Sequence, residues 1–237
     1  MRAVILQSNY IPWKGYFHLL SLADKFVVYD SVQYTTNDWR NRNRLIGPAG
    51  PIWLTVPIKT AGRFGQHIND ATVSDSKWAR KHWLTSEQCL TRRPYFSNFA
   101  DAWHDQFLRC AELVKLTEIN VAWLKLLVSQ MDTQTQLILD SSIEIQATDA
   151  TDRIVEICDH LECDRYLTGP AGLTYLKMDA FSRRGIKLEV IDYSAYPEYP
   201  QSRTDFTHAV SILDFLSNVE IGQVRSLLSE QRLTSVN

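Results

Sequence analysis

Short apolar runs separated by an amphipathic stretch set the pattern of the first thirty residues. Residues 3–6 and 26–29 are continuously apolar, and residues 16–23 place apolar side chains at helical spacing. Such a strand–helix–strand order predicts a βαβ unit with buried parallel strands. Because these crossovers are right-handed, the turn after the first strand and Asp30 after the second are predicted at one edge of the sheet. Open α/β sheets bind ligands at that edge.

The pattern changes twice along the rest of the chain. Residues 31–70 are rich in Asn, Arg and Gly, residues 76–131 have helical spacing, and an α/β alternation returns after residue 132. The elements predicted here are strands at 52–58, 137–139, 165–167 and 187–192, helices at 99–116, 121–131 and 150–161, and two C-terminal helices. Thr148 or Asp149 is predicted to cap the helix at 150–161.

These elements predict an α/β, Rossmann-like fold. Its mostly parallel, doubly wound sheet is built from both ends of the chain, with an inserted helical subdomain and C-terminal helices. We expect residues 1–70 and 132–237 to form the α/β ligand-binding core and residues 71–131 to form the insertion. A single continuous domain is the alternative.

Size and composition narrow the functional classes. The 237 residues are 45% hydrophobic and 22% charged, which is ordinary for a globular chain with a real core. A formal net charge of -2 gives no overall basic field, so nucleic acid is not an expected partner. No run approaches the ~20 apolar residues of a membrane span, and the first apolar run is too short for a signal peptide. We expect a cytoplasmic protein without a membrane span, and a homodimer is left open.

The four cysteines give no sign of a metal site. Cys89, Cys110, Cys158 and Cys163 form no CxxC pair, and no histidine stands near them at zinc-ligand spacing. We interpret them as buried thiols of a protein from a reducing compartment, and we expect no metal to be bound.

Polar and aromatic side chains crowd the turn after the first strand. The amides of Gln7 and Asn9 suit a base edge, a ribose or a sugar hydroxyl. Gly15 lets a ligand approach the backbone at the start of the helix, and Lys14 adds a positive charge near it. The alternative is a polar turn whose Gln and Asn only cap the helix. The ligand-binding residues predicted here are Gln7, Asn9, Tyr10, Trp13, Lys14 and Gly15.

Arginine and asparagine alternate after the second strand, flanked by aromatic residues. Together they offer bidentate anion donors, neutral amides and a stacking face, which favours the phosphates of a nucleotide. The alternative is a solvated basic loop. The residues predicted to bind or orient a ligand are Asp30, Gln33, Trp39, Arg40, Asn41, Arg42 and Asn43.

Two weaker signals lie outside these segments. Thr168, Gly169 and Gly172 belong to a strand-to-helix turn that resembles a phosphate cradle, but the turn fits neither the P-loop nor the GxGxxG pattern. His82 is a candidate catalytic residue because its surroundings are polar and aromatic, although a lone helical histidine is more often structural.

The segments around these residues resemble the WbqC-like protein family. Residues 7–17 are similar to the family pattern QPxYxPWxGYF, residues 24–33 to DxFVxxDxVQ, and residues 39–46 to WxNRNxI. Further matches are WLTVP at 53–57, Lys81-His82-Trp83, residues 94–96, 166–172, 196–201 and 211–216. The resemblance covers nearly the whole chain.

The sequence departs from the family pattern at two places. Ser8 stands where the family usually has proline, which we expect to loosen the turn. Residues 216–220 lack the usual Leu-Phe-Asn-x-Gly ending, so a contribution of this segment to the site does not follow from the resemblance.

The resemblance implies a role in cell-surface polysaccharide synthesis. Members of the family commonly accompany genes for these polysaccharides. Some are regarded as transferases that place glycine or another acyl group on a nucleotide-linked amino sugar. On this hypothesis Arg40 and Arg42 bind the pyrophosphate, and Trp39 or Trp13 stacks on a ring. His82 or Asp30 takes up the proton. The acyl donor is either a carboxylate used with ATP and Mg²⁺ or an acyl-CoA.

The sequence leaves three rival functions open. The first strand, turn and helix are similar to those of the adenylyltransferase and pantothenate synthetase group, which predicts nucleotidyl transfer. However, residues 12–16 lack both histidines of the HxGH motif by which those enzymes hold ATP, and fold alone does not establish function. A non-catalytic nucleotide-sugar-binding subunit is the second rival. Binding of single-stranded RNA is a distant third, because the basic cluster is short.

Overall fold

The computed structural model describes residues 1–201 and 205–236, and within them it has eight strands and eight α-helices. The strands are β1 (Arg2–Leu6), β2 (Lys25–Val28), β3 (Arg42–Gly47), β4 (Gly50–Thr55), β5 (Gln136–Leu139), β6 (Arg165–Thr168), β7 (Lys187–Ile191) and β8 (Leu233–Val236). The helices are α1 (Lys14–Ser21), α2 (Trp78–Leu90), α3 (Ala100–Ala111), α4 (Leu116–Met131), α5 (Ala150–His160), α6 (Met178–Arg183), α7 (Ile212–Asn218) and α8 (Ile221–Ser229).

The central sheet has six strands in the order β5-β2-β1-β6-β7-β8, and all its pairs are parallel except β7 with β8. Residues of α1 pack into the core on one face, and residues of α5 and α6 pack into the core on the other. The predicted α/β, Rossmann-like fold is confirmed.

The strand order reverses between β1 and β6. The chain first adds β2 and β5 on one side of β1, and then returns to place β6 and β7 on the other. In doubly wound sheets this reversal leaves a crevice at the carboxyl ends of the two central strands, where ligands bind. The turn that follows β1 is therefore at the expected ligand-binding edge.

The sequence did not predict β3, and the reason lies in its side chains. Arg42 to Arg44 reads as a polar loop, but β3 pairs antiparallel with β4 and buries Asn43. The alternation of Arg and Asn is therefore the two-residue period of a strand. The strand predicted at 52–58 is β4, and it ends at Thr55.

The helical region has three helices, and the helix predicted at 99–116 ends earlier than expected. Residues 112–115 leave the helix because the segment turns to pair with residues 71–73. The N–H of Val73 donates to the Val114 carbonyl at 2.9 Å. Residues of α2, α3 and α4 share one apolar core with β1, α1, α7 and α8. The division of the chain into a core and an insertion stays a prediction.

Other parts of the chain follow the expected pattern with one addition. Asp149 caps α5 by accepting from the N–H groups of Thr151 and Asp152. The four cysteines are buried and free of disulfides. The edge strand β8 was not predicted; it follows α8 and pairs antiparallel with β7.

Among the residues that the structure describes, no helix has the length and apolar character needed to cross a membrane.

Candidate functional site

Asp30 fixes the turn after β1. Its carboxylate is 1% exposed and accepts from the N–H of Ser8 at 2.8 Å, from the Ser8 hydroxyl at 2.7 Å and from the Thr117 hydroxyl at 2.6 Å. Burial raises the pKa of Asp30, although these hydrogen bonds favour its charged form. Ser8 therefore does not loosen the turn as expected, because its side chain and N–H both bind Asp30.

Asn43 holds a strained part of the same turn. Ile11 has a φ of 42°, a left-handed conformation that is costly for a β-branched residue. The buried side-chain amide of Asn43 donates to the carbonyls of Tyr10 and Ile11, at 3.2 and 2.9 Å. This pair of hydrogen bonds stabilises the backbone that leads to Pro12 and Trp13.

Arg40 joins the two polar segments that the sequence singled out. Its guanidinium donates to the side-chain oxygens of Gln7 and Asn9, the latter at 2.7 Å, and lies 3.7 Å from a carboxylate oxygen of Asp38. The Arg40 carbonyl accepts from the Asn120 side chain at 3.0 Å. Arg40 is therefore engaged within the protein and orients Gln7 and Asn9.

A cleft of about 320 Å³ opens beside this turn. Three separate parts of the chain form its mostly apolar walls, namely the turn after β1, the start of β3 and a segment before α7. The lining residues are Asn9, Pro12, Trp13, Trp39, Asn43, His208 and Ala209.

The segment before α7 is fastened to the other two walls by backbone and side-chain hydrogen bonds. The Arg44 side chain donates to the Ala209 carbonyl at 2.6 Å, and the Ser211 N–H donates to the Arg44 carbonyl at 2.9 Å. The N–H of Ile212 donates to the Pro12 carbonyl at 2.8 Å. The C-terminal part of the chain therefore contributes to the cleft.

Gly15 permits the position of the Trp13 side chain. A Cβ at Gly15 would lie 2.3 Å from an indole carbon of Trp13, so no other residue fits there without moving the ring. The indole packs edge-on against Tyr193, with ring centroids 5.0 Å apart. The glycine therefore leaves room for the Trp13 ring in a wall of the cleft, and its predicted role of admitting a ligand to the backbone stays a prediction.

On the other wall, Trp39 belongs to an exposed aromatic and cationic surface. Trp39 and Trp53 are 38% and 43% exposed, and their ring centroids lie 5.6 Å apart. The guanidinium carbon of Arg42 lies 4.4 Å from the centroid of the Trp53 ring, a distance typical of cation–π contact. Arg42 thus places a half-buried positive charge beside the aromatic wall.

Lys14 lies in a box of aromatic rings. It is 2% exposed, and its Nζ lies 5.0 Å from the ring centroids of Tyr196, Tyr199 and Phe215 and 5.7 Å from that of Phe206. The ammonium also donates to the Pro197 carbonyl at 3.2 Å. Burial lowers the pKa of Lys14 to about 8. The predicted point charge for a phosphate is therefore enclosed by the protein.

His208 is the histidine that lines the cleft. Its ring is half-buried and packs edge-on against Phe206, with centroids 4.6 Å apart. Burial lowers its pKa, and the charge of Lys14 lowers it further. Within the part of the chain that the structure describes, no group forms a hydrogen bond to the buried Nδ1 of His208. His208 thus gives the cleft an imidazole with a lowered pKa, and its unpartnered Nδ1 is buried within the protein.

His82 and Tyr10 lie behind the cleft wall. The Tyr10 hydroxyl and Nδ1 of His82 are 2.9 Å apart, and both residues are almost fully buried. Burial lowers the pKa of His82 to about 3, so the ring is neutral in the folded protein at ordinary pH. His82 also packs against Trp78 and Phe107, with centroids 5.2 and 6.4 Å apart. Asp30, His82 and Tyr10 are not among the residues that line the cleft.

The remaining candidates lie elsewhere. Asn41 is buried and donates to the Val56 carbonyl at 2.8 Å. Gln33 lines a separate cavity together with residues 34–36, 60 and 63–66. The turn after β6 is not brought into the cleft. A Cβ at Gly172 would lie 2.4 Å from Oγ1 of Thr168, and one at Gly169 would lie 3.4 Å from the Tyr193 hydroxyl. Tyr193 in turn packs on Trp13, as described above.

Sequence reasoning did not select Pro12, His208 or Ala209. Pro12 stands inside the opening motif, so the motif itself was the signal for it. His208 and Ala209 precede the family match at 211–216, but nothing in their own pattern indicates that they meet the opening turn nearly 200 residues away. Among the described residues, no group of three or more His, Cys, Asp or Glu side chains is placed to hold a metal ion.

Comparison with known proteins agrees with the sequence motifs. The chain is 35% identical over 218 residues to a protein of Mycobacterium tuberculosis named "Uncharacterized protein Rv1507c". The aligned region covers 92% of this chain and 94% of that protein. No solved structure gives a significant match. The sequence model of the WbqC-like protein family matches residues 7–226. The chain therefore belongs to the WbqC-like protein family.

Proposed function

We propose that this protein binds a nucleotide-linked amino sugar in the cleft and forms an amide at the sugar amine. The observation that carries the proposal is the pairing of two indoles, Trp13 and Trp39, with the neutral imidazole of His208 in one cleft. Flat aromatic faces suit a base or a sugar ring, and a neutral imidazole suits the removal of a proton. The family resemblance adds the setting, which is the synthesis of cell-surface polysaccharide.

The nucleotide is assigned to the side of the cleft formed by Trp39. Stacking on an exposed indole fits a nucleobase, and Arg42 beside Trp53 supplies a cation for the pyrophosphate. The guanidinium of Arg40 is already hydrogen-bonded to Gln7 and Asn9, so we assign the pyrophosphate to Arg42 before Arg40. We assign to Asn9, which lines the cleft, the orientation of a sugar hydroxyl or of the amine.

In the chemical step the lone pair of the sugar amine attacks the carbonyl carbon of an activated acyl group. The new C–N bond forms as the bond from the carbonyl carbon to its leaving group breaks. The leaving group is a phosphate if ATP with Mg²⁺ activates a carboxylate, and a thiolate if the donor is an acyl-CoA. His208, which lines the cleft, accepts on its imidazole ring the proton that the nitrogen loses. Asp30 holds the turn after β1 through Ser8, and His82 contacts the Tyr10 hydroxyl of the same turn.

The test is an incubation of the purified protein with a dTDP-linked amino sugar and each donor in turn. One mixture contains glycine, ATP and Mg²⁺, and the other contains acetyl-CoA. Mass spectrometry should detect the amide in one of them, and His208→Gln should lower its rate at least tenfold while the protein still binds the sugar nucleotide. If neither mixture gives an amide and the sugar nucleotide does not bind, the proposal is wrong. Binding without turnover in either mixture favours the non-catalytic alternative.

A further inference from the structure

Lys14 and His208 contact the same two aromatic rings. The Phe206 ring centroid lies 5.7 Å from the Lys14 Nζ and 4.6 Å from the centre of the His208 ring. The Tyr196 ring centroid lies 5.0 Å from the same Nζ and 6.1 Å from the His208 ring. The lysine begins α1, and the histidine lies before α7. The aromatic box therefore connects the cleft to a buried charge on the opening helix.

The enclosure of Lys14 is unusual for a structural lysine. Lysine side chains normally bury their methylene stem and leave the ammonium in water. Here the ammonium itself is buried against four rings and one carbonyl, and the ring faces attract it. With a pKa of about 8, most of its population stays protonated at neutral pH. A positive charge is thus held inside the wall next to the cleft.

Charged side chains near His208 come from several elements of the described chain, and Arg232 lies 5.8 Å from the centroid of the Tyr196 ring on which His208 packs. Lys14 of α1 lowers its pKa, and Glu198 of the preceding loop raises it. Arg44 of β3 contributes a third charge close by, because it binds the carbonyl of the adjoining Ala209. Charges interact more strongly through a protein interior than through water. Because Lys14 and His208 share Tyr196 and Phe206 as neighbours, the charge of Lys14 acts on the imidazole through the interior. The buried charge of Lys14 therefore disfavours the protonated form of His208.

We propose that Lys14 is a positioning residue whose caged ammonium adds to burial in disfavouring protonation of His208 and holds loop residues 196–201 and 205–210 against α1. The inference rests on the proposed role of His208 as the proton acceptor. The expected effect of the Lys14 charge on the protonation of His208 concerns the free protein and can be measured without substrate. A neutral residue at position 14 should make His208 easier to protonate, and an arginine should not.

The experiment is an NMR titration of the histidine side chains in the wild type, Lys14→Met and Lys14→Arg, with His208→Gln assigning the signal. In Lys14→Met we expect the His208 midpoint to rise by about half a pH unit or more, since a buried positive charge that shares two aromatic neighbours with His208 is removed. In Lys14→Arg it should stay near the wild-type value. An unchanged midpoint in folded Lys14→Met overturns the inference. If that variant does not fold, Lys14→Gln, which keeps a donor for Pro197, takes its place.

Activity provides a separate readout. If the amide is formed, the acid limb of the kcat/KM profile should move upward by the same amount in Lys14→Met, and Lys14→Arg should restore it. A shifted NMR midpoint in a protein without turnover refutes the proposed reaction and leaves the inference standing. If the protein forms the amide and the His208 midpoint is unshifted in Lys14→Met, the proposed reaction stands and the inference about Lys14 is wrong.

Discussion

The N–H and the hydroxyl of Ser8 both donate to the carboxylate of Asp30, at 2.8 and 2.7 Å. This contact joins the end of β1 to the end of β2, which are neighbouring parallel strands. Asn120 donates to the Ser8 hydroxyl at 2.9 Å and connects the same turn to α4. The opening loop is therefore held from two sides before it reaches the cleft.

Replacing Ser8 by the proline that the family usually has should destabilise this protein. Proline removes the two Ser8 donors to the buried Asp30 carboxylate. The Thr117 hydroxyl still donates to Oδ2, but Oδ1 loses its N–H donor, and an unsatisfied buried acceptor costs about 1 to 3 kcal/mol. Ser8→Ala, the matched control, removes only the hydroxyl and should cost less. Urea denaturation measures both. A free energy of unfolding for Ser8→Pro equal to or above that of the wild type would contradict the role given to this contact.

Asn43 and Asn41 make a matched pair for testing the strained turn. Both amides are buried and donate to backbone carbonyls, but only Asn43 reaches Tyr10 and Ile11. Each change to alanine should lower the free energy of unfolding by about 1 to 3 kcal/mol. Only Asn43→Ala should also weaken binding of the sugar nucleotide, as measured by calorimetry. Equal losses of affinity in the two variants would show that the strained turn has no special part in binding.

Gly15→Ala should displace the Trp13 indole. The added Cβ would meet that ring at 2.3 Å, and the wall of the cleft would have to move. We expect a changed tryptophan fluorescence spectrum and weaker ligand binding, at a cost in stability of about 1 to 3 kcal/mol. Gly169→Ala is the control, because its Cβ has 3.4 Å to the nearest atom. If both variants give wild-type spectra and affinities, Gly15 does not determine the position of Trp13.

The buried His82 should make the protein less stable in acid. Its pKa of about 3 in the folded protein lies below the usual 6.5, so the unfolded chain binds a proton that the folded protein does not. Stability is fully present above about pH 6.5 and should fall as the pH drops toward 3, by up to about 1.4 kcal/mol per pH unit from this residue. Denaturation at pH 7, 5.5 and 4.5 should give a shallower dependence for His82→Gln. Parallel curves for the two proteins would contradict the assignment.

The βαβ start of the fold was predictable because local periodicity determined it. β1 and β2 are buried on both faces, and α1 has its apolar residues at helical spacing, so each element reads clearly in isolation. β3 was not predictable, since it buries polar Asn43 and depends on its pairing with β4. The edge strand β8 likewise depends on β7 for its hydrogen bonds.

The sequence predicted the cleft residues of the opening turn but not those of the segment before α7. The opening motif and the position of the loop at the sheet edge identified Asn9 and Trp13. His208 reaches the cleft through contacts of Ala209 and Ile212 with residues far away in the sequence, and no local pattern encodes such contacts. The enclosure of Lys14 depends in the same way on rings that follow it by more than 180 residues.

Binding of a dTDP-linked amino sugar tests the central claim most directly. Calorimetry on the wild type, Trp39→Ala and Phe64→Ala compares an indole of the cleft with a fully exposed ring that lines a different cavity. Loss of base stacking costs about 1 to 3 kcal/mol, so we expect Trp39→Ala to bind roughly ten times more weakly or worse. Phe64→Ala should bind like the wild type. No binding to the wild type, or equal affinity in all three proteins, would contradict the claim that this cleft is a nucleotide-sugar site.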